Sequence, residues 1–113
     1  MSEEGLQTFA NAAVRDTDDG VALVFPKEWE AHLYTNAPWP APLFGRVRTP
    51  VVGLRGRSTL FLDDARWRDL TSRQRTGWFR QTLEAGHLLP LEHPELAAAW
   101  VIEGLQAVGV LDL

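Results

Sequence analysis

The chain contains a nearly unbroken apolar run, Pro50-Val51-Val52-Gly53-Leu54-Arg55-Gly56, which ends at a glycine. A strand with one face in water alternates apolar and polar residues, whereas a parallel strand covered on both faces is apolar throughout. The run therefore predicts a buried parallel strand that turns at Gly56. Its neighbours along the chain must supply a second strand and the covering helices.

The residues downstream predict a helix, a second strand and a last helix. Asp63 to Arg73 fits the first helix, and Gly77 to Leu83 fits a less apolar strand that lies nearer an edge. The last helix, Pro94 to Val108, has a stripe predicted to be buried: Leu96, Ala99, Trp100, Ile102 and Leu105. This order predicts a right-handed parallel unit. Because two parallel strands leave open edges, we expect a piece of a larger sheet.

The residues upstream predict a small helical segment. A helix capped by Ser2 is expected to run to about Val14, followed by the turn residues Asp16 to Gly20 and an extended run at Val21 to Phe25. Pro26 then begins a helix that reaches about Thr35. Three prolines within Asn36 to Phe44 predict an extended connector.

Composition limits the class of protein. A chain of 113 residues is long enough for one domain, and its formal charge of −4 argues against nucleic acid or an anionic membrane as a partner. It has no cysteine, so disulfides and thiolate chemistry are excluded. No run approaches the ~20 apolar residues of a membrane span. The first residues do not resemble a secretory signal, so the expected compartment is the cytoplasm.

One histidine occupies a position typical of enzymes. His87 lies in Ala85-Gly86-His87-Leu88-Leu89-Pro90, between the second strand and the last helix. This places it on a tight loop at the carboxyl end of a strand, where α/β enzymes present a general base. The sequence contains no G-x-S-x-G elbow and no other clear nucleophile turn. The sequence therefore offers a candidate general base without a candidate nucleophile.

These motifs resemble the C-terminal half of α/β-hydrolase-fold enzymes. The similarity rests on the apolar run that ends at Gly56 and on the loop from Ala85 to Pro94, which resembles the loop that carries the triad histidine. Phe25 to Ala31, followed by a Trp-Pro connector, resembles the end of the cap region in esterase-like members. The resemblance implies an α/β fold: a partial parallel sheet flanked by helices, with a small helical cap-derived N-terminal segment.

The resemblance also implies domain limits and a function. Residues 1–45 would be the cap-like helical segment and linker, and residues 46–113 the strand–helix–strand–helix part of the hydrolase domain. The implied function is that of a hydrolase portion, of the carboxylic-ester type, that supplies the triad histidine and lacks the nucleophile elbow. No cofactor is implied. A small-molecule substrate would bind only once a missing N-terminal half completes the enzyme.

The triad acid has no clear position. The family places an aspartate two or three residues after Gly56, where this chain has Ser58 and Thr59. Asp63 and Asp64 are the candidate acids, although both suit the start of the following helix. Some relatives carry the acid upstream of the cap. Ser58 is a further candidate as a polar group beside the imidazole.

The remaining candidate residues favour ordinary roles. His93, at the start of the last helix, is expected at the surface with its ring in water, and His32 is expected in packing or solvent. The three histidines show no metal-ligand spacing, so no metal site is predicted. Trp29, Trp39 and Phe61 could line an acyl pocket or simply fill a core.

Two other interpretations stay open. The chain could be a non-catalytic remnant of a truncated reading frame that acts as a binding or dimerising module. It could also be a self-contained small binding domain with an accidental resemblance. If the chain is a hydrolase portion or a truncated remnant, the open edge of its sheet drives self-association or requires a partner.

Overall fold

The computed structural model describes residues 1–112. The chain combines helices with a small two-stranded parallel sheet that helices flank, an arrangement that is broadly α/β. The chain forms two compact units, Met1–Trp39 and a second that begins at Pro40.

The first unit consists of two helices around a short hairpin. Its elements are α1 (Glu3–Ala13), β1 (Val14–Thr17), β2 (Gly20–Leu23) and α2 (Lys27–Asn36). The hydroxyl of Ser2 accepts from the amide of Gly5 at 3.0 Å and caps α1, as the sequence predicts. Gly5 is the one buried residue of this unit, so its apolar side chains are largely exposed.

The hairpin corrects the prediction for Val14 to Gly20. Helix α1 ends beside Val14, as the sequence predicts, but the turn predicted from Asp16 to Gly20 is shorter, because Val14 to Thr17 form a strand that pairs antiparallel with Gly20 to Leu23. The turn itself shrinks to two residues, Asp18 and Asp19. Gly20 closes it with φ of 139°, a conformation that favours glycine.

The second unit contains the parallel pair that the apolar run predicts. Its elements are α3 (Ala41–Phe44), β3 (Val52–Ser58), α4 (Asp64–Arg73), β4 (Trp78–Gly86), α5 (Leu89–Glu92) and α6 (Pro94–Ala107). β3 and β4 pair in parallel from Val52↔Trp78 to Gly56↔Thr82. The connector is wrongly predicted as wholly extended, because Ala41–Phe44 form the short helix α3, with Pro40 as its N-cap and Pro42 in its first turn.

Helices contact both faces of the parallel pair. On one face, α6 packs so closely that a Cβ on Gly104 would lie 2.5 Å from Val52 Cγ1 and 2.7 Å from Trp78 Cε3. On the other face, Trp67 of α4 meets the Phe79 ring edge-on, with the ring centroids 5.8 Å apart. Trp78 and Phe79 are consecutive in β4, so their side chains point to opposite faces of the strand pair. The contacts with α6 and α4 therefore lie on opposite faces.

The core is smaller than the sequence predicts. Its buried members are Ala85, Leu89 and Ala97, with Leu54, Leu96 and Trp100 packed partly against them. Val52 to Leu54 are only half-buried, and Ala99 and Ile102 of the predicted helix stripe are exposed. Two strands with one helix packed on each face offer too little surface to bury all of these side chains.

The carboxyl ends of β3 and β4 approach each other at Gly56. A Cβ on this residue would overlap the carbonyl oxygen of Gly86 and lie 2.5 Å from that of Ala85. The pairing shifts at the same point, since Gly56 pairs with Thr82 but Ser58 pairs with Gly86. Two steps along β3 thus match four along β4, which makes an irregularity of the bulge type.

We expect Gly56→Ala to destabilise the chain by about 1–3 kcal/mol, because the new methyl group meets backbone atoms that cannot rotate away. Urea unfolding followed by tryptophan fluorescence measures the change. Gly45→Ala is the matched control, since its Cβ would lie 3.7 Å from Arg73 Cβ, an ordinary contact. Equal midpoints for the two variants would contradict the close approach at Gly56.

Candidate functional site

His87 lies on an exposed turn directly after β4. Its imidazole Nδ1 is 3.5 Å from the hydroxyl oxygen of Thr59, a distance that permits only a weak hydrogen bond. The ring of Phe61 packs against it, with a centroid separation of 4.8 Å and a tilt of 42°. The loop that follows β3 therefore contacts the imidazole through two side chains, Thr59 and Phe61.

The irregular pairing between β3 and β4 is what brings this loop to His87. Glu84, one of the extra residues of β4, has local partners for its backbone: its amide donates to the Thr82 hydroxyl at 3.1 Å. The carbonyl of Glu84 lies 3.0 Å from Nε2 of His93, which donates to it in the tautomer protonated at Nε2. Gly86 can therefore pair with Ser58, one residue before Thr59.

A buried arginine, Arg55, binds the end of the loop that follows β3. Arg55 is 3% exposed, and its guanidinium donates to the Leu62 carbonyl at 3.0 Å and to Gln81 Oε1 at 2.7 Å. It also donates to Asp64 and lies 5.3 Å from the centre of the Trp67 ring. Because Leu62 and Asp64 flank the end of the loop, Arg55 fixes its path back into α4.

Asp64 is shared by two arginines. Arg57 donates from Nη2 at 2.6 Å and from Nε at 3.3 Å, and Arg55 binds the same carboxylate. Hydrogen bonds from Arg57 and then Arg55 lower the pKa of Asp64 from the usual 3.8 to about 2. The carboxylate is exposed, with 53% of its side chain accessible, so the arginines and not burial cause the shift.

The structure gives both candidate triad acids other partners. Asp63 caps α4 by accepting from the amide of Arg66 at 2.8 Å, and Asp64 binds Arg55 and Arg57. Within residues 1–112, the hydrogen-bond and ring partners of His87 are Thr59 and Phe61, and neither is a carboxylate.

An open cleft of about 610 Å³ borders the Thr59 loop. Its walls carry two aspartates, two arginines and two hydroxyls. The lining consists of Arg57, Ser58, Thr59, Asp63, Asp64, Ala65, Arg68 and Leu83. The cleft therefore offers both hydrogen-bond donors and acceptors beside an apolar patch from Leu83.

Two predictions about polar neighbours need correction. The group beside the imidazole is Thr59, not Ser58; the register shift decides this, and no local sequence signal could have shown it. His93 is half-buried and its ring lies against the Glu84 carbonyl, so it is not the free surface residue that the sequence predicts. His32 is exposed and contacts Trp29 and Asn36 within the first unit.

The three candidate pocket aromatics have different surroundings. Phe61 contacts His87 and is 54% exposed. Trp29 meets His32 edge-on, with a centroid separation of 6.3 Å, and both line a small cavity of about 270 Å³ with Glu28. Trp39 is 42% exposed. Phe61 therefore lies at the candidate site of the second unit, whereas Trp29 and Trp39 belong to the first unit.

Residues 1–112 hold no cluster of three or more side chains suited to bind a metal ion. Over the same range, no helix is long and apolar enough to cross a membrane.

Comparison with protein families, curated proteins and solved structures gives no match to this chain. The functional conclusion therefore depends on the site itself.

The shifted pKa of Asp64 predicts an acid-sensitive contribution to stability. A carboxylate whose pKa is lower in the folded state stabilises fully above its unfolded value and loses this effect as pH falls through the folded value. We expect the free energy of unfolding to decline between pH 4 and pH 2, and Asp64→Asn to reduce this decline. Asp18→Asn in the hairpin turn is the control. Urea unfolding at stepped pH measures both, and an unchanged decline in Asp64→Asn would contradict the arginine contacts.

Proposed function

We propose that this chain is the C-terminal portion of an α/β-hydrolase-fold hydrolase that acts on a carboxylic ester. In this proposal His87 is the general base, and the nucleophilic serine comes from a segment outside the 113 residues. The first unit would be derived from the cap of such an enzyme. A small-molecule ester is the substrate class.

The observation that carries the proposal is the placement of His87. It follows one parallel strand, and its partner Thr59 follows the neighbouring parallel strand. Ligands of α/β sheets bind at the carboxyl ends of the strands, where residues from adjacent loops converge. An exposed imidazole held there by a hydroxyl and an aromatic ring is suited to exchange protons with a bound molecule.

A general base of this kind needs the tautomer protonated at Nδ1, and the contact of the ring with Thr59 is compatible with it. Thr59 Oγ1 accepts from the amide of Phe61 at 3.2 Å and retains a lone pair toward His87 Nδ1. A proton on Nδ1 can be donated to this oxygen, which leaves the lone pair of Nε2 free to accept. Thr59 would therefore orient the ring as a neutral partner.

The proposed reaction has two steps. As the serine oxygen attacks the ester carbonyl, its proton moves to Nε2 of His87, which returns it to the leaving alcohol when the carbon–oxygen bond breaks. Water then attacks the acyl-serine, giving a proton to His87, and this proton returns to the serine as the acid departs. Proton balance is restored at the end of each turnover.

A second candidate is a non-catalytic binding or dimerising module. Large apolar side chains are exposed in both units: Val21 is 68% exposed in the hairpin and Leu83 is 73% exposed on β4. Each strand of the parallel pair also has one edge without a strand partner in residues 1–112. Unpaired strand edges of this kind favour association with another chain.

Reconstitution tests the catalytic proposal. The full chain is co-expressed with an N-terminal half from an α/β hydrolase, and hydrolysis of a short p-nitrophenyl ester is measured. We expect activity that a serine-directed fluorophosphonate blocks, and we expect His87→Ala to lower kcat by about 10²–10⁴-fold. His32→Ala, which changes a histidine of the first unit, should leave kcat unchanged.

An active assembly that is indifferent to His87→Ala would contradict the assignment of the base. An assembly that forms but shows no fluorophosphonate-sensitive turnover would favour the binding module. Denatured protein at equal concentration controls for the acyl transfer that free imidazoles perform.

A further inference from the structure

The turn that carries His87 is closed by a carboxylate. β4 ends at Gly86, and the amide of Gly86 donates to Oε2 of Glu92. The space beside Gly86 is also filled. A Cβ placed on this glycine would lie 3.1 Å from the other carboxylate oxygen, Oε1, and 2.9 Å from the Ser58 carbonyl oxygen. The carboxylate therefore covers the backbone of the residue that immediately precedes the imidazole.

Glu92 is itself held in place by its own helix. α5 spans Leu89–Glu92, and the amides of Leu91 and Glu92 donate to the Leu88 carbonyl at 2.8 and 2.9 Å. Leu89 is 3% exposed and packs in the core beside Ala85. One end of the turn is thus fixed by apolar burial, and the other end by the carboxylate.

A second side chain ties the same turn to the same strand. His93, the next residue, lies 3.0 Å from the carbonyl of Glu84. Two consecutive side chains after the turn therefore bind Glu84 and Gly86, the residues on either side of buried Ala85. This pair of contacts fixes the direction in which the chain leaves β4, and so the position from which the His87 side chain projects.

We infer that Glu92 is a positioning residue for His87 and acts through the backbone amide of Gly86. A hydrogen bond to a carboxylate is stronger than one between neutral groups, so this contact restrains the turn more than its other hydrogen bonds do. Its effect on catalysis rests on the proposed function. Its effect on the turn does not, and the two can be measured separately.

Nuclear magnetic resonance on the full chain measures the turn directly. In Glu92→Ala we expect the Gly86 amide to exchange with solvent about 10- to 100-fold faster, since a hydrogen bond to a charged group is worth about 1.5–3 kcal/mol. We also expect greater mobility of the His87 ring in carbon relaxation. Glu92→Gln retains an acceptor oxygen and should restore most of the protection. Glu95→Ala, an exposed glutamate of α6, is the matched control.

Protection of the Gly53 and Arg55 amides, which face β4 in the parallel pairing, reports whether each variant remains folded. If Glu92→Ala unfolds the chain, the comparison is made with Glu92→Gln, which should then show a smaller but measurable acceleration at Gly86 alone. Unchanged exchange at Gly86 in a folded Glu92→Ala chain would overturn the inference.

The reconstituted assembly supplies the catalytic arm. We expect Glu92→Ala to lower kcat about tenfold with little change in KM, and Glu92→Gln to recover most of the loss. A faster Gly86 exchange in an assembly without turnover would sustain the positioning role and count against the hydrolase proposal. A changed KM with constant kcat would show that Glu92 serves substrate binding and not the His87 turn.

Discussion

The close approach of the Gly56 backbone to Ala85 and Gly86 is the constraint on which the second unit depends. Only a residue without a side chain fits between the two strands here, and the pairing changes register at this point. The shift places Ser58 opposite Gly86, so that the next residues, Thr59 and His87, face each other. Without the shift, Ser58 would pair with Glu84, and His87 would lie further along the strand direction than Thr59. The geometry of the candidate site is therefore a consequence of strand packing.

The buried Arg55 fixes the other side of the site. A guanidinium taken out of water needs nearly all of its donors satisfied, and Arg55 uses Leu62, Asp64 and Gln81 for this purpose. Within the described residues its Nε remains without a hydrogen-bond partner, which is a cost of this arrangement. The Arg55 side chain connects β3 with β4 and with the start of α4. It thereby determines where the loop that contains Thr59 ends.

The sequence predicts the parallel pair and the exposed His87 turn because both depend on local patterns, an apolar run and a glycine-histidine turn between strand and helix. It does not predict Thr59 as the neighbour of His87, since the register shift involves residues about thirty positions apart. The roles of Arg55 and Glu92 were missed for the same reason: each is defined by its partners. The hairpin at Val14 was missed because its strands have only four residues each.

The central claim is that the loops after β3 and β4 form one site around His87. The most direct measurement is a nuclear Overhauser spectrum of the full chain labelled at its aromatic and threonine side chains. We expect cross-peaks from the His87 ring to the Phe61 ring and to the Thr59 side chain. Amide contacts between β3 and β4 verify the parallel pairing in the same spectrum. If those contacts are present but the His87 ring shows no cross-peak to either residue, the claim is contradicted.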